Sequence, residues 1–209
     1  MAIPFIAVEG PIGVGKTTLT KAIAAEGHYT VLKEIVEENP FISKFYDDIE
    51  AWSFQTEMFF LCNRYKQLTD IKQEQLDHAK PVVADYHIFK NLIFAQRTLE
   101  PSEYEKYEEI FYILTRDVPM PNMIIYLQAS QDTLMKRIAH RGRAFEQNMD
   151  PHYLQQLAED YDRFIDRFEQ ENPQIPVLRF DGDQLDFVNK AADLQFILNE
   201  VQNVVDKGV

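Results

Sequence analysis

A glycine-rich octapeptide near the start of the chain constrains the fold more than any other feature. Residues 10–17 read Gly-Pro-Ile-Gly-Val-Gly-Lys-Thr, which fits the phosphate-loop pattern G-x-x-x-x-G-K-[ST] at every fixed position. The apolar residues 4–8 predict a buried strand ahead of the loop, and residues 18–26 predict a helix behind it. Strand, glycine loop and helix are the setting that this pattern needs, so a chance glycine-rich turn is a poor explanation.

The residues of this loop have the chemistry to bind a nucleoside triphosphate. Glycines let backbone N–H groups curl around an anion, and the N-terminus of a helix adds positive potential. We therefore expect ATP to contact the loop and the first helical turn at Gly10, Gly13, Val14, Gly15, Lys16, Thr17 and Thr18. Lys16 supplies positive charge to the β- and γ-phosphates, and the Thr17 hydroxyl is a predicted ligand of the accompanying Mg²⁺.

Composition limits the remaining possibilities. A chain of 209 residues with 45% hydrophobic content predicts one domain, residues 1–209, with a sizeable core. Its net charge of −13 repels nucleic acids and anionic membranes, so we expect neither as a partner. The apolar runs are too short to span a bilayer, and the chain opens on a strand rather than a signal peptide. The single cysteine, Cys62, suits a reducing cytoplasm, and its apolar helical setting predicts a packing role.

The rest of the chain alternates between predicted strands and predicted helices. Strands are predicted at residues 4–8, 29–35, 82–85, 123–127 and 176–180. Helices are predicted at residues 18–26, 49–78, 88–97, 101–115, 132–140, 151–171 and 187–205. Five strands interleaved with helices predict an α/β fold, in which a five-stranded parallel sheet carries helices on both faces.

A basic cluster is the second strong signal in the sequence. Lys136, Arg137, Arg141 and Arg143 fall within eight residues at the end of a predicted helix. Arginines brought in by a closing lid stabilise the charge of a phosphoryl group during transfer, whereas a solvated basic helix end only complements the helix dipole. We favour a lid at about residues 137–146, because the chain also contains a phosphate loop. It lacks the Asn-Lys-x-Asp motif of guanine-nucleotide switches, which favours a small-molecule kinase.

Several further motifs occur in an order that resembles the deoxyribonucleoside kinase family over essentially the whole chain. They are residues 9–17, residues 33–40 (Lys-Glu-Ile-Val-Glu-Glu-Asn-Pro), residues 52–61 followed by Arg64, residues 124–130, and the arginines at 137, 141 and 143. Within the family the chain is most similar to the bacterial deoxyguanosine kinases. The resemblance implies a P-loop kinase fold, ATP-dependent 5′-phosphorylation of a deoxyribonucleoside, and a homodimer.

The resemblance also implies roles for individual residues. Glu34 matches the carboxylate that takes the proton from the nucleoside 5′-hydroxyl, although Glu37 and Glu38 are its competitors from the sequence alone. Asp85 matches the acidic residue that helps to hold Mg²⁺ through water. Tyr46 and Glu146 fall where the family binds the 3′-hydroxyl of the sugar.

The remaining implied roles concern arginines. Arg141 and Arg143 are expected to join Lys16 in stabilising the transferring phosphoryl group, and Arg137 and Arg141 are expected to contact ATP. The chain departs from the family where an arginine is expected after Asp85, because residue 86 is a tyrosine. Arg64 or a lid arginine are the candidates to replace that charge.

Glu57 is the predicted reader of the nucleobase. An ionised carboxylate offers acceptors only, and guanine presents two adjacent donors, N1–H and N2–H₂. Gln55 is the alternative reader, and it leaves the choice open between deoxyguanosine, deoxyadenosine and deoxycytidine. Arg64 follows Glu57 by two helical turns and is expected to hold it ionised or to contact the purine. Phe59, Phe89 and Phe111 are the candidates to stack on the base, with Phe59 preferred.

Two other classes of function stay open at this point. A regulatory nucleotide-binding protein needs Lys16 and Thr17 but neither Glu34 nor a lid. A nucleoside-monophosphate kinase shares the loop and the lid, but it needs cations near its phosphorylated acceptor. The predicted acceptor region is acidic, which favours a neutral nucleoside.

Overall fold

The computed structural model describes residues 3–147 and 149–208, and a five-stranded parallel sheet lies at its centre. The strands are β1 (Phe5–Glu9), β2 (Thr30–Leu32), β3 (Val82–Ala84), β4 (Met123–Gln128) and β5 (Val177–Asp181). Their order across the sheet is β2-β3-β1-β4-β5. Every residue of β1 is buried, as expected for a central parallel strand that is covered on both faces.

The strand order creates a crevice between β1 and β3. The chain leaves β1 toward β2 at one edge, and it leaves β3 toward β4 on the other side of β1. Ala7 of β1 pairs with Ala84 of β3 and with Ile124 of β4, so the three strands end at the same edge of the sheet. Ligands of open α/β sheets bind at such a switch point, outside the carboxyl ends of the strands.

Eight α-helices surround the sheet in the described part of the chain. They are α1 (Lys16–Gly27), α2 (Ile42–Asp47), α3 (Ile49–Glu74), α4 (Lys90–Thr98), α5 (Pro101–Thr115), α6 (Gln131–Arg141), α7 (Pro151–Glu171) and α8 (Ala191–Val205). Short 3₁₀ turns cover Leu76–His78 and Ala144–Glu146. Asp48, Ser130 and Asp150 cap α3, α6 and α7 by accepting hydrogen bonds from backbone N–H groups, as N-cap side chains do.

Helix α7 shows how the sequence pattern builds the core. Its residues Leu154, Leu157, Tyr161, Ile165 and Phe168 repeat at helical spacing, and all of them are buried. This stripe faces the interior while charged residues occupy the opposite side. Among the described residues, no helix combines the length and the hydrophobicity that a membrane crossing requires.

The predicted sheet and strand positions are confirmed, but several boundaries differ. The second strand was expected to run to residue 35, yet it ends at Leu32, because Gln67 of α3 donates to the Lys33 carbonyl in place of a sheet neighbour. Helix α4 begins at Lys90, after a tight turn in which the N–H of Lys90 bonds to the His87 carbonyl. Residues 187–189 form a turn, and α8 begins only at Ala191.

Two further differences from the sequence predictions concern helices α2 and α3. Helix α2 was not predicted at all, because only Ile42 and Phe45 of its six residues are buried and the signal is too short. Cys62 was expected to pack in the core, but its side chain is exposed. The buried face of α3 instead carries polar residues, among them Glu57 and Arg64.

Replacing Gly10 with alanine is expected to destabilise the fold more than replacing Gly142. Both glycines have positive φ, so the backbone strain of an L residue is common to the two substitutions. At Gly10 the added Cβ would lie 2.4 Å from the backbone oxygen of Leu127, whereas at Gly142 it meets nothing within 4 Å. Urea unfolding is expected to show a loss of about 1–2 kcal/mol for Gly142→Ala and a clearly larger loss for Gly10→Ala. Equal midpoints would contradict this packing argument.

Candidate active site

A cavity of about 840 Å³ opens at the switch point of the sheet. Its floor is the phosphate loop that follows β1, and its walls include the segment after β2 and the end of β3. Helices α2, α3, α4 and α6 contribute side chains to the remaining walls. The cavity therefore joins the predicted nucleotide loop to the acidic acceptor region in a single site.

The phosphate loop has the backbone shape that a polyphosphate requires. Gly10, Gly13 and Gly15 all have positive φ, at 145°, 86° and 109°, which only glycine adopts without strain. The Lys16 ammonium donates to the carbonyl oxygens of Gly10 and Pro11, at 2.7 and 3.0 Å. Burial and the charge of Lys90 lower the pKa of Lys16 to about 8, so it stays protonated at neutral pH.

The two predicted metal ligands lie in direct contact. Thr17 Oγ1 donates to Asp85 Oδ2 at 2.5 Å, while the buried Asp85 Oδ1 has no hydrogen-bond partner among the described residues. Burial and the charge of Glu34 raise the pKa of Asp85. A hydroxyl next to an unpartnered carboxylate oxygen suits a hard cation such as Mg²⁺. Within residues 3–147 and 149–208, no set of three His, Cys, Asp or Glu side chains forms a metal site, so phosphate oxygens would have to complete the coordination.

Glu34 lies at the centre of a buried ionic cluster. Its Oε1 accepts hydrogen bonds from Arg64 Nη2 and from Lys90 Nζ, both at 2.6 Å. Burial raises the pKa of a carboxyl, but here the charges of Lys90, Arg64 and Lys16 together outweigh burial and lower the pKa of Glu34 to about 2. Glu34 is therefore ionised throughout the neutral range.

The two other glutamates that the sequence offered as the proton-accepting carboxylate lie outside the cavity. Glu37 and Glu38 are exposed, and neither lines the cavity. Glu37 forms an ion pair with Arg143 at 3.2 Å, and its side chain is 68% exposed. Of the three glutamates, only Glu34 faces the site.

Lys90 is a site residue that the sequence analysis missed. The tyrosine at the position of the expected arginine, Tyr86, donates to Gln67 Oε1 at 2.7 Å and does not line the cavity. The positive charge beside Glu34 comes instead from Arg64 and Lys90. Arg64 was one of the predicted replacements for the expected arginine, whereas Lys90 was not predicted. The available signal was a lysine in the largely apolar run of residues 88–94, six residues after the end of a buried strand.

The arginines of the predicted lid line the cavity, but each already has a partner. Arg141 binds Glu146 through Nε and Nη2, and Arg143 lies 3.6 Å from the same carboxylate. Arg137 donates to the backbone oxygens of Val14 and Gly182, at 2.9 and 2.8 Å. Arg137 thus ties helix α6 to the phosphate loop, which was not part of its predicted role. Closure of residues 137–146 as a lid stays a prediction.

The two residues predicted for the sugar lie close to each other. Tyr46 stacks on Phe145 with ring centroids 5.9 Å apart, and Phe145 is the neighbour of Glu146. Tyr46 and Glu146 both line the cavity, and Glu146 is buried. Burial and the nearby charge of Glu146 raise the pKa of the Tyr46 hydroxyl, so it is a neutral hydrogen-bonding group.

Glu57 is the most unusual group in the cavity wall. It is 1% exposed, and its Oε2 has no hydrogen-bond partner among the described residues. Arg64, two turns along α3, is engaged by Glu34 and by Asn91 at 2.7 Å rather than by Glu57. Burial raises the pKa of Glu57 to about 7, against the charges of Arg64 and Lys90. A buried carboxyl without a partner is costly, so its retention points to a ligand.

The alternative base reader and the predicted stacking residues lie outside the cavity. Gln55 is exposed and points away from the site. Phe59 packs edge-on against Phe41 and Phe60, while Phe89 and Phe111 pack within the protein. The phenylalanines that line the cavity are Phe45, Phe60 and Phe94. The predicted Phe59 is therefore one residue, or about 100° around the helix, away from Phe60, which does line the cavity. Stacking on a base stays a prediction.

Comparisons with known proteins find relatives over nearly the whole chain. Residues 6–206 match the deoxynucleoside kinase family. The chain is 50% identical over 202 residues to the deoxyguanosine kinase of Bacillus subtilis (strain 168), covering 97% of this chain and 98% of that protein. It is 29% identical to the deoxyadenosine/deoxycytidine kinase of the same organism, covering 96% and 92% of the two chains. A solved deoxyadenosine kinase from M. mycoides with bound dCTP is 25% identical, with a TM-score of 0.78 over 95% of this chain and 99% of that one.

Proposed function

The chain belongs to the deoxynucleoside kinase family, and we propose that it transfers the γ-phosphoryl group of ATP to the 5′-hydroxyl of deoxyguanosine. The observation that carries the choice of base is the buried, unpartnered carboxyl of Glu57 in the cavity wall. The 50% identity to a deoxyguanosine kinase over nearly the full length of both chains supports the same choice.

The chemistry of the site supports phosphoryl transfer to a hydroxyl. Glu34 orients the 5′-hydroxyl and accepts its proton late, when the oxygen is already bonding to phosphorus. Lys16, Arg141 and Arg143 stabilise the charge that spreads over the phosphoryl oxygens. Mg²⁺, held by Thr17 and Asp85 together with the nucleotide, neutralises phosphate charge when it is bound.

The base and the sugar occupy the opposite end of the cavity in this proposal. Glu57 accepts hydrogen bonds from guanine N1–H and N2–H₂, and the ring lies among Phe45, Phe60 and Phe94. Tyr46 and Glu146 bind the 3′-hydroxyl of the sugar. Adenine and cytosine place a ring-nitrogen lone pair against the carboxylate, and such a buried mismatch costs about 1–3 kcal/mol.

We also propose a homodimer in a reducing cytoplasm. The paired helices α3 and α5 carry exposed apolar side chains, namely Tyr65, Tyr112 and Ile113, on a surface that does not line the cavity. Exposed apolar residues on neighbouring helices are typical of protein–protein contacts. One cysteine and no disulfide among the described residues agree with the proposed compartment.

The proposed choice of base is tested by exchanging Glu57 for glutamine. We expect the wild type to prefer deoxyguanosine in a coupled ADP-release assay over a panel of nucleosides and monophosphates. Glu57→Gln offers one donor and one acceptor, so its kcat/KM ratio of deoxyguanosine to deoxyadenosine is expected to fall by about 10–100-fold. Gln55→Glu is the matched control, and it leaves the ratio unchanged because residue 55 is exposed.

The outcomes of this assay separate the alternatives. A wild type that prefers deoxycytidine, or a ratio that Glu57→Gln leaves unchanged, would contradict the role of Glu57. Activity on monophosphates alone would instead indicate a nucleoside-monophosphate kinase, and the absence of ADP release would indicate a regulator.

The raised pKa of Glu57 predicts that base selection depends on pH. The ionised carboxylate accepts both guanine donors, whereas the protonated carboxyl has one donor and one acceptor and matches adenine. Because the pKa is about 7, the ionised form gains and the protonated form declines as pH rises from 6 to 8. The ratio of kcat/KM values for deoxyguanosine and deoxyadenosine is expected to rise by up to about tenfold per pH unit.

This ratio isolates Glu57 from the other titrating groups. Changes in Glu34, Lys16 or the arginines alter both substrates together and cancel in the ratio. In Glu57→Gln the ratio is expected to be flat with pH. A ratio that is flat in the wild type as well would show that protonation of Glu57 does not select the base.

A further inference from the structure

Lys90 occupies a position where a positive charge is energetically unfavourable. It is the first residue of helix α4, and the N-terminus of a helix carries partial positive charge that opposes a cation. Its side chain is only 5% exposed, so the ammonium has also lost most of its hydration. A charged lysine at such a position needs an anion that offsets both costs. Glu34 is that anion, because its Oε1 accepts a hydrogen bond from Lys90 Nζ at 2.6 Å.

The ion pair between Glu34 and Lys90 leaves one carboxylate oxygen of Glu34 and two N–H groups of the Lys90 ammonium without a partner among the described residues. Arg64 and Lys90 both donate to Oε1, and no hydrogen bond from a described residue uses Oε2. The ammonium of Lys90 has three N–H donors, and within the described chain only the one on Glu34 has an acceptor. Lys90 and Glu34 both line the cavity, so these free groups face the same space.

The other cations near Glu34 have further partners. Arg64 uses a second nitrogen on Asn91, which in turn donates to the Tyr107 hydroxyl at 2.7 Å. Lys16 is folded onto the carbonyl oxygens of its own loop. Lys90 keeps two N–H donors without an acceptor among the described residues, and its Nζ also lies 5.4 Å from the centroid of the Phe94 ring. Arg64 keeps one such donor, the buried Nε.

We propose that Lys90 is a catalytic cation, which donates a hydrogen bond to the 5′-oxygen of the nucleoside while Glu34 Oε2 accepts the proton of that hydroxyl. This inference rests on the proposed function. In the step, the O5′–H bond breaks and its proton passes to Glu34, while a bond forms between O5′ and the γ-phosphorus. The bond between that phosphorus and the β,γ-bridging oxygen breaks, and its electron pair leaves with ADP. The positive charge of Lys90 stabilises the negative charge that develops on O5′.

The test compares Lys90→Met and Lys90→Arg in steady-state assays with deoxyguanosine and ATP. Methionine keeps the length of the side chain but removes the charge and the donors, so kcat is expected to fall by about 10²–10³-fold. KM for ATP is expected to stay within about threefold, because Lys90 is not part of the phosphate loop. Arginine keeps a charged donor and is expected to recover about tenfold or more of the lost kcat. Lys21→Met, an exposed lysine on α1, is the control and is expected to behave as the wild type.

A pH profile distinguishes this role from simple packing. With Lys90 present, Glu34 has a pKa of about 2 and does not limit kcat at pH 5–8. Without Lys90 the pKa of Glu34 rises, so the acidic limb of the kcat profile is expected to move to higher pH in Lys90→Met. Lys90→Arg is expected to restore the wild-type limb, since it restores the positive charge.

The outcomes separate this inference from the proposed function. A wild type that phosphorylates no deoxynucleoside overturns both. An active wild type with a folded Lys90→Met of similar kcat and unshifted pH profile overturns the inference alone. If Lys90→Met does not fold by circular dichroism, Lys90→Gln and Lys90→Arg decide. A folded Lys90→Arg that is no more active than Lys90→Gln overturns the inference, because charge then has no effect.

Discussion

The buried ion cluster of Glu34, Arg64 and Lys90 is the interaction on which the site depends. Burying three charges costs several kcal/mol each, and this cost is offset only when the charges contact one another with good geometry. Here both cations bond to a single carboxylate oxygen, at 2.6 Å. The result is a largely buried carboxylate that stays ionised and keeps its second oxygen free for a substrate. Removing Arg64 or Lys90 leaves the buried charge of Glu34 with too little compensation. A large effect on the site is therefore expected from the loss of either cation.

The sheet topology explains how three distant segments form this cluster. Glu34 follows β2, Lys90 follows β3, and Arg64 lies on the long helix α3 between them. Since β2 and β3 are parallel neighbours, their carboxyl ends deliver Glu34 and Lys90 to the same edge, beside the phosphate loop that follows β1. Helix α3 links the ion cluster to the base end of the cavity, because Glu57 lies two turns before Arg64. One rigid helix therefore helps to fix the distance between the base and the reacting hydroxyl.

The sequence predicted what is encoded locally and missed what depends on contacts between distant segments. The phosphate loop is a contiguous motif with a fixed backbone shape, so its glycines, Lys16 and the flanking strand and helix follow from the sequence. Lys90 could not be assigned in this way, because its partner lies 56 residues away in the chain. The same limit explains why Phe60 lines the cavity and the predicted Phe59 does not, since a one-residue shift changes the face of a helix and only tertiary packing fixes the rotation. Cys62 is exposed for the same reason, because the face of α3 that turns inward is the one that carries Glu57, Leu61 and Arg64.

The most direct test of this account is a crystal structure of the protein with deoxyguanosine bound. The account predicts that O5′ lies within hydrogen-bond distance, about 3 Å, of both Glu34 Oε2 and Lys90 Nζ, with guanine N1 and N2 facing the Glu57 carboxyl. A nucleoside whose O5′ contacts neither Glu34 nor Lys90, with its base directed away from Glu57, would contradict the account.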